Sequence, residues 1–427
     1  MAFPKAALTY VMFPGLLRHP RRSPAAIQKI RERKLRRLVR RAYRYVPYYR
    51  SLFDSACLKP QDIKTLDDLE RIPLTSKSRL RELPESEKTA ANIDLSRCGS
   101  FTTSGTSGIP LRSYFSRRDS TMKNLGWIRA FAHVGIRPRQ KMAAFVGKKT
   151  VKAAPSWYER LGLWRRKEIS SWAKPETWVK ELRRWKPEVI IGYVMTLRIL
   201  AEYLEANALK DIKPRAIIQS SALLDGPSRK FLEDAFRCPV IDIYGSDEGG
   251  CLAWECRACG GYHISEDTVI LEILKNGRPA GAGEVGDVVI TNLHSEAMPF
   301  IRYRQDDLAA LSERTPSCGR RFPLLEKIEG RIDDFIRLST GEKISPHPFY
   351  HCLDPVPGVK RWRLTQVAVG RLRVEIAADK DFADASRSLI DECLRGLVKN
   401  QMKIEIEIVD SIPVDPAGKF RTVSSQV

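Results

Sequence analysis

The sequence predicts an α/β protein with three parts: a large N-terminal α/β domain of layered sheets, a strand-rich subdomain belonging to it, and a small C-terminal α+β domain. Three observations predict this. From about residue 100, strand-sized apolar runs alternate with helical ones, the pattern of a sheet with crossover connections. From Asp267 to Leu311 the runs become almost wholly strand-like, with glycines between them. Beyond Gly330 to Asp334 the last part of the chain carries strands and a helix of its own.

Residues 1–95 read as helices joined by polar turns, such as Pro73-Leu74-Thr75-Ser76 before a helix near Lys77. Within 18–50, Leu35, Leu38, Val39 and Ala42 recur at helical spacing among arginines, which predicts an amphipathic helix with a basic face. Strands are expected at 142–146, 189–192, 216–219 and 240–244, separated by helices at 117–134, 177–185 and 227–236. Further strands are expected at 269–274 and 286–291. The C-terminal segment should hold strands at 361–369, 372–377 and 403–409 and a helix at 384–399. Trp157, Trp164, Trp172, Trp178 and Trp185 lie six to eight residues apart, which reads as helices burying one Trp every second turn rather than as a nucleic-acid stacking platform. The expected parts are 1–95, a helical N-terminal region; 96–332, the core of the large domain; and 333–427, the C-terminal domain.

Composition narrows the function. At 427 residues and 43% apolar content the chain supports one large core and a smaller one. No apolar run approaches the roughly 20 residues of a membrane span, and no signal peptide is read. Nine scattered cysteines suggest a reducing compartment, the cytoplasm, with special cysteines serving metal or chemistry rather than disulfides. A formal net charge of +22 calls for anionic partners: nucleotide, coenzyme A, acidic lipid or nucleic acid.

The chemistry-bearing residues come in five groups. Thr102-Thr103-Ser104-Gly105-Thr106-Ser107-Gly108 offers hydroxyls and backbone N–H groups without bulky side chains, so it can wrap a triphosphate. It is not a Walker A loop, because no Gly-Lys-Ser/Thr follows. Then come Tyr244-Gly245-Ser246-Asp247-Glu248-Gly249, Arg302-Tyr303-Arg304-Gln305-Asp306-Asp307, Gly330-Arg331-Ile332-Asp333-Asp334, and Gly418-Lys419-Phe420-Arg421. In this order and spacing they resemble the signature set of the adenylate-forming superfamily (acyl-CoA synthetases, luciferases and peptide-synthetase adenylation domains). The Pro299 to Arg304 run and the closing Ala417 to Arg421 resemble most the branch of phenylacetate-CoA ligases and their CapK-like relatives.

The resemblance implies roles. Thr103, Ser104, Gly105, Thr106, Ser107 and Gly108 would hold the phosphates of ATP, and Tyr244 with Gly245 would face adenine, beside Ser221 and Ala222. Glu248 would hold Mg²⁺, and Asp307 would accept both ribose hydroxyls. Arg331 would lie near the ribose and α-phosphate. Asp333 would be the hinge of a mobile C-terminal domain, and Gly341 would lie near the tunnel for the acyl acceptor. Lys419 would be catalytic: a carboxylate attacking a phosphate brings two anions together, and a cation must bridge them. Three departures stand out. Gln305-Asp306-Asp307 replaces the family's Thr-Gly-Asp, leaving Asp306 as a competitor to Asp307; Ser220-Ser221-Ala222-Leu223 replaces a Gly-rich or Glu-terminated strand end; and Leu111 stands where wider relatives often have lysine.

Cys256, Cys259, His263 and Cys318 form a second constellation, whose thiolates and imidazole suit a structural, tetrahedral Zn²⁺. Cys251 is a further candidate ligand, and His133, His294, His347 and His351 are assigned none. The expected activity is therefore ATP-dependent activation of a carboxylic acid as an acyl-adenylate, with transfer to coenzyme A. Two alternatives remain open: transfer to an amine, as in an amino sugar or amino acid, and a basic membrane- or nucleic-acid-associated protein with a vestigial nucleotide site. Peripheral contact with anionic membrane is retained as a partner for the basic N-terminal region.

Overall fold

The computed structural model describes residues 13–102, 111–147, 157–220, 223–331, 334–412 and 422–427. Two compact units divide the chain: residues 1–137 with 243–328, and residues 138–242 with 329–427.

The first unit begins with α1 (Pro24–Tyr45), capped by the Ser23 hydroxyl, which accepts from the Ala26 N–H at 3.3 Å. Its buried stripe is Ile27, Leu35, Leu38, Val39 and Ala42, and each buried Leu, Ile or Val contributes about 1.5–3 kcal/mol. Pro47 ends the helix, since the residue before a proline is pushed out of the helical region, and the same proline starts α2 (Pro47–Ser55). The strands β1 (Gly99–Thr102) and β2 (Arg112–Phe115) pair antiparallel on either side of residues 103–110. Leu111 is wholly buried in the apolar core, so its departure from lysine is a packing choice. Helix α3 (Arg117–His133) follows, opened by a reciprocal Ser116–Asp119 capping box.

In the second unit β3 (Met142–Val146), β4 (Arg166–Ser170), β5 (Val189–Gly192) and β6 (Ala216–Ser220) form parallel pairs in the order β4-β3-β5-β6. Their crossovers include α4 (Pro175–Trp185) and α5 (Val194–Ala206); α6 (Gly226–Phe236) follows β6. Parallel strands need such helices on their faces, which is why Ile190, Leu197, Leu200, Ile217 and Leu232 share one core. The tryptophans do not follow the expected helical series. Trp178 is buried on α4, Trp164 sits in a turn at φ +51°, and Trp172 follows β4 and is 42% exposed. Their even spacing is interrupted by a strand, which periodicity alone did not reveal.

The chain passes back to the first unit through β7 (Val240–Ser246). There β8 (Gly250–Cys256), β9 (Gly261–Ile264), β10 (Val269–Lys275), β11 (Arg278–Pro279), β12 (Val285–Asn292), β13 (Tyr303–Leu311) and β14 (Leu324–Arg331) lie in the order β11-β10-β12-β13-β14-β9-β8-β7. This is the strand-rich stretch the sequence predicted. The N-terminal helices dock on it through ions as well as apolar contacts. Asp267, wholly buried, meets the guanidinium of the equally buried Arg129, and its Oδ2 lies 2.7 Å from His19 Nδ1. Lys34 donates to the Asp267 carbonyl and lies 3.0 Å from His294 Nε2.

The remainder of the second unit is the small α+β C-terminal domain. The short pair β15 (Ile336–Arg337) and β16 (Lys343–Ile344) precedes α7 (His347–Leu353). Then β17 (Val359–Ala368), β18 (Arg371–Ala378), α8 (Asp384–Leu397), β19 (Lys403–Val409) and β20 (Val423–Ser425) build a sheet in the order β19-β18-β17-β20. One expectation is corrected here. Cys352 of α7 and Cys393 of α8 form a disulfide with Cα atoms 5.9 Å apart, whereas the scattered cysteines of the sequence suggest metal or chemistry rather than disulfides. The two helices pack against each other, a proximity that a sequence separation of 41 conceals.

Candidate functional site

The Tyr244 to Gly249 motif is the end of β7 and the turn into β8. Ser246 pairs with Gly250, and a bulge after Tyr244 breaks the register. The turn is closed by the Ser246 hydroxyl, which accepts from the Gly249 N–H at 2.9 Å and from Gln305 Nε2 at 2.6 Å. Both glycines are sterically required. A methyl on Gly245 would lie 2.7 Å from the Trp127 ring and 2.8 Å from the Gly250 carbonyl; one on Gly249 would lie 2.4 Å from Leu252.

The Arg302 to Asp307 motif opens β13. Asp287 of β12 pairs with Leu308 but Val289 pairs with Arg304, so residues 305–307 bulge opposite Val288 alone. The left-handed backbone of Asp306, φ +62°, accommodates the bulge. Asp307 meets the aromatic motif: the Tyr244 hydroxyl donates to Asp307 Oδ2 at 2.7 Å.

Glu248 is 7% exposed and receives a 3.3 Å hydrogen bond from the Tyr303 hydroxyl, while its backbone carbonyl accepts from Asn292 Nδ2 at 2.7 Å. Burial, and then the Glu248 charge, push the Tyr303 phenol well above its ordinary value, so it stays a donor. The two arginines of this motif are structural. Arg302 is held by Glu272 and by the carbonyls of Glu70 and Ile72, and Arg304 pairs with Asp287 at 2.6 Å.

Tyr244, Gly245, Glu248 and Asp307 thus converge within the first unit, whereas Arg331, exposed at the end of β14, and Gly341, at φ +84° in the β15–β16 turn, belong to the second. Thr103, Ser104, Gly105, Thr106, Ser107, Gly108, Ser221, Ala222, Asp333 and Lys419 lie outside the described residues. Sequence reasoning missed Gln305, Tyr303, Asn292 and Lys123, whose Nζ lies 3.0 Å from Asp247 Oδ1. The first two sat inside a quoted motif; nothing in the sequence marked the others.

Cys256, Cys259, His263 and Cys318 also converge, their sulfur and nitrogen atoms all within 4.8 Å of one another. Cys256 closes β8, and the N–H groups of Cys259 and Gly260 both return to its carbonyl, curling the Cys-x-x-Cys loop. His263 Nδ1 lies 2.9 Å from the Phe322 carbonyl and must donate to it, so Nε2 presents its lone pair to Cys318 Sγ at 3.2 Å. Burial pushes the Cys256 thiol up to about 11. Burial opposes ionisation of Cys259 too, but hydrogen bonds from Ser317 and the neighbouring thiols bring it down to about 7. Three thiols and one imidazole lone pair form a soft tetrahedral donor set that fits Zn²⁺. Cys251 is not part of it: that thiol is buried against Ser265 and the Ala253 carbonyl.

Comparison with known proteins agrees with this geometry. The CapK C-terminal domain family matches residues 336–426. The phenylacetate-coenzyme A ligase of Thermus thermophilus is 29% identical over 360 residues, covering 81% of this chain and 78% of the relative. The chain is thus similar to phenylacetate-CoA ligases over most of its length, and to CapK over part of it. Staphylococcus aureus CapK is 26% identical over 162 residues, 38% of this chain and 35% of that protein. A likeness of fold extends over nearly the whole chain. A 2-hydroxyisobutyryl-CoA ligase crystallised in its postadenylation state superposes with a TM-score of 0.79 at 21% identity, covering 96% of this chain and 92% of the other.

Proposed function

We propose that the chain is an ATP-dependent carboxylate-activating ligase that forms an acyl-adenylate and passes the acyl group to coenzyme A. The observation that carries this reading is the Tyr244–Asp307 hydrogen bond beside Glu248, which joins an aromatic face, a ribose-type carboxylate and a hard-cation carboxylate. The phenol orients Asp307 so that its carboxylate can accept the ribose hydroxyls, while the Tyr244 ring stacks on adenine. Glu248, with a carboxylate oxygen as donor, would hold the Mg²⁺ that accompanies ATP and screens its phosphates.

The substrate carboxylate attacks the α-phosphorus, forming a C–O–P link as pyrophosphate departs; a thiol then attacks the acyl carbon and AMP leaves. The Thr103 to Gly108 turn retains the β- and γ-phosphates, Arg331 lies near the ribose and α-phosphate, and Gly341 lines the acceptor path. Lys419 neutralises the crowding of two anions at the first step. In this reading residues 333–427 swing about Asp333, residues 96–332 bind ATP and acid, residues 1–95 support them, and Ser221 with Ala222 borders adenine. Zn²⁺ on Cys256, Cys259, His263 and Cys318 is structural, since four protein ligands leave no open position. A cytoplasmic location belongs to this reading; among the described residues no helix is long and apolar enough to cross a membrane. Peripheral contact of the basic N-terminal region with an anionic membrane is compatible with this activity but independent of it.

The test is pyrophosphate release with Mg·ATP across a panel of aryl and short aliphatic acids, with and without coenzyme A. Acid-dependent release followed by thioester formation is expected. Acyl-adenylate that turns over with amines but not with coenzyme A would move the assignment to an amide-forming ligase. No release with any acid would leave the site vestigial.

A further inference from the structure

The outward face of α1 is a continuous cationic ridge. At 100° per residue, Lys29, Arg33, Arg36, Arg37, Arg40 and Arg44 fall within an arc of about 100°, opposite the buried stripe of Leu35, Leu38, Val39 and Ala42. From Lys29 to Arg44 every residue on that arc is Lys or Arg. Five are exposed and Arg36 is half-exposed. Over residues 18–50, Glu32 is the single acid.

A helix face that serves only to be solvated mixes both signs, because like charges four residues apart destabilise it. This face repeats that spacing at 29/33, 33/37, 36/40 and 40/44; Arg36 and Arg37 reach Glu32 at 4.0 Å and Glu296 at 3.6 Å, and an anionic surface would relieve the repulsion that remains.

We infer that this ridge docks the protein onto an anionic lipid bilayer, as a peripheral and salt-reversible contact. The ridge is straight, about 22 Å long from Lys29 to Arg44 at 1.5 Å per residue, and the helix beneath it is sunk in the core, so its cations can lie tangent to a flat sheet of headgroups. A row of Lys and Arg on one helix face is the pattern by which a protein surface meets anionic headgroups, each cation contributing about 1 kcal/mol. The ridge itself carries no aromatic or amide side chain for reading or stacking on bases.

The test is sedimentation of the full chain with vesicles of phosphatidylcholine alone or with 30% phosphatidylserine, at about 0.05 and 0.5 M salt, with single-stranded RNA as a parallel ligand. Binding is expected only with phosphatidylserine, and only at low salt. The variant Lys29→Gln/Arg33→Gln/Arg40→Gln, which keeps good helix formers and touches no core residue, should lower vesicle affinity about 100-fold with unchanged thermal stability. Equal binding to neutral vesicles, affinity for RNA exceeding that for anionic vesicles, or a triple variant that binds undiminished would each overturn the inference. None of these readouts needs an active ligase, so the docking surface and the enzymatic reading fail separately.

Discussion

Replacing Tyr244 by Phe keeps the ring that would stack on adenine but removes the hydroxyl that reaches Asp307 Oδ2 at 2.7 Å. A hydrogen bond to a carboxylate contributes about 1.5–3 kcal/mol, roughly 10- to 150-fold in an equilibrium. Part of that returns when Asp307 is resolvated, so Tyr244→Phe should raise the KM for ATP toward the lower end, about tenfold. Asp307→Asn removes the ionised acceptor of two ribose hydroxyls and should cost about 100-fold or more in kcat/KM for ATP. The double variant should fall short of the product of the two, because the phenol acts only through the carboxylate. Asp306→Asn is the control: asparagine tolerates the left-handed backbone at φ +62°, and activity should stay within about twofold. The assay is steady-state pyrophosphate release at varied ATP and saturating acid. If Asp306→Asn proves as damaging as Asp307→Asn, or the two effects at 244 and 307 multiply, the assignment of the ribose carboxylate is wrong.

Three further outcomes are expected. Lys419→Ala should abolish acyl-adenylate formation, read as loss of ATP–pyrophosphate exchange, while circular dichroism stays unchanged. Cys256→Ser or Cys318→Ser should reduce bound zinc from one per chain toward none by elemental analysis, and a chelator should lower the melting temperature of the wild type but not of the variants. Arg129→Met should cost about 3–5 kcal/mol, seen as a lower midpoint in urea, because it strips the main counter-ion from buried Asp267. Burial alone would raise the Asp267 carboxyl, but Arg129 with His19 and Lys34 holds it well below the usual range. Its contribution is therefore complete above the unfolded value near pH 4 and is lost as pH falls below that, so the variant's stability should depend less on pH in acid.

The strands and helices with strong periodicity were legible in the sequence nearly to the residue. Met142–Val146, Val189–Gly192, Val269–Lys275 and Arg117–His133 lie where alternation or 3.6-residue spacing put them. Less legible was β8, because Gly250 to Cys256 is buried almost throughout and lacks an alternating face. The convergence of Cys256, Cys259, His263 and Cys318 was readable because metal chemistry restricts both residue type and spacing. The Cys352–Cys393 pairing was not, since it depends on how two helices pack. The bulge that brings Asp307 to Tyr244 is a feature of strand pairing that residue identity does not encode.

The interrupted path of the first unit bears on its synthesis. The apolar face of α1 belongs to a core completed by side chains such as Ile270, Phe300 and Ile301, made more than two hundred residues later. At roughly 5–20 residues per second, that face waits on the order of 10–50 s on the ribosome before its partners emerge. A nascent chain arrested near residue 240 should therefore be a client of holding chaperones, and one released after residue 330 should not.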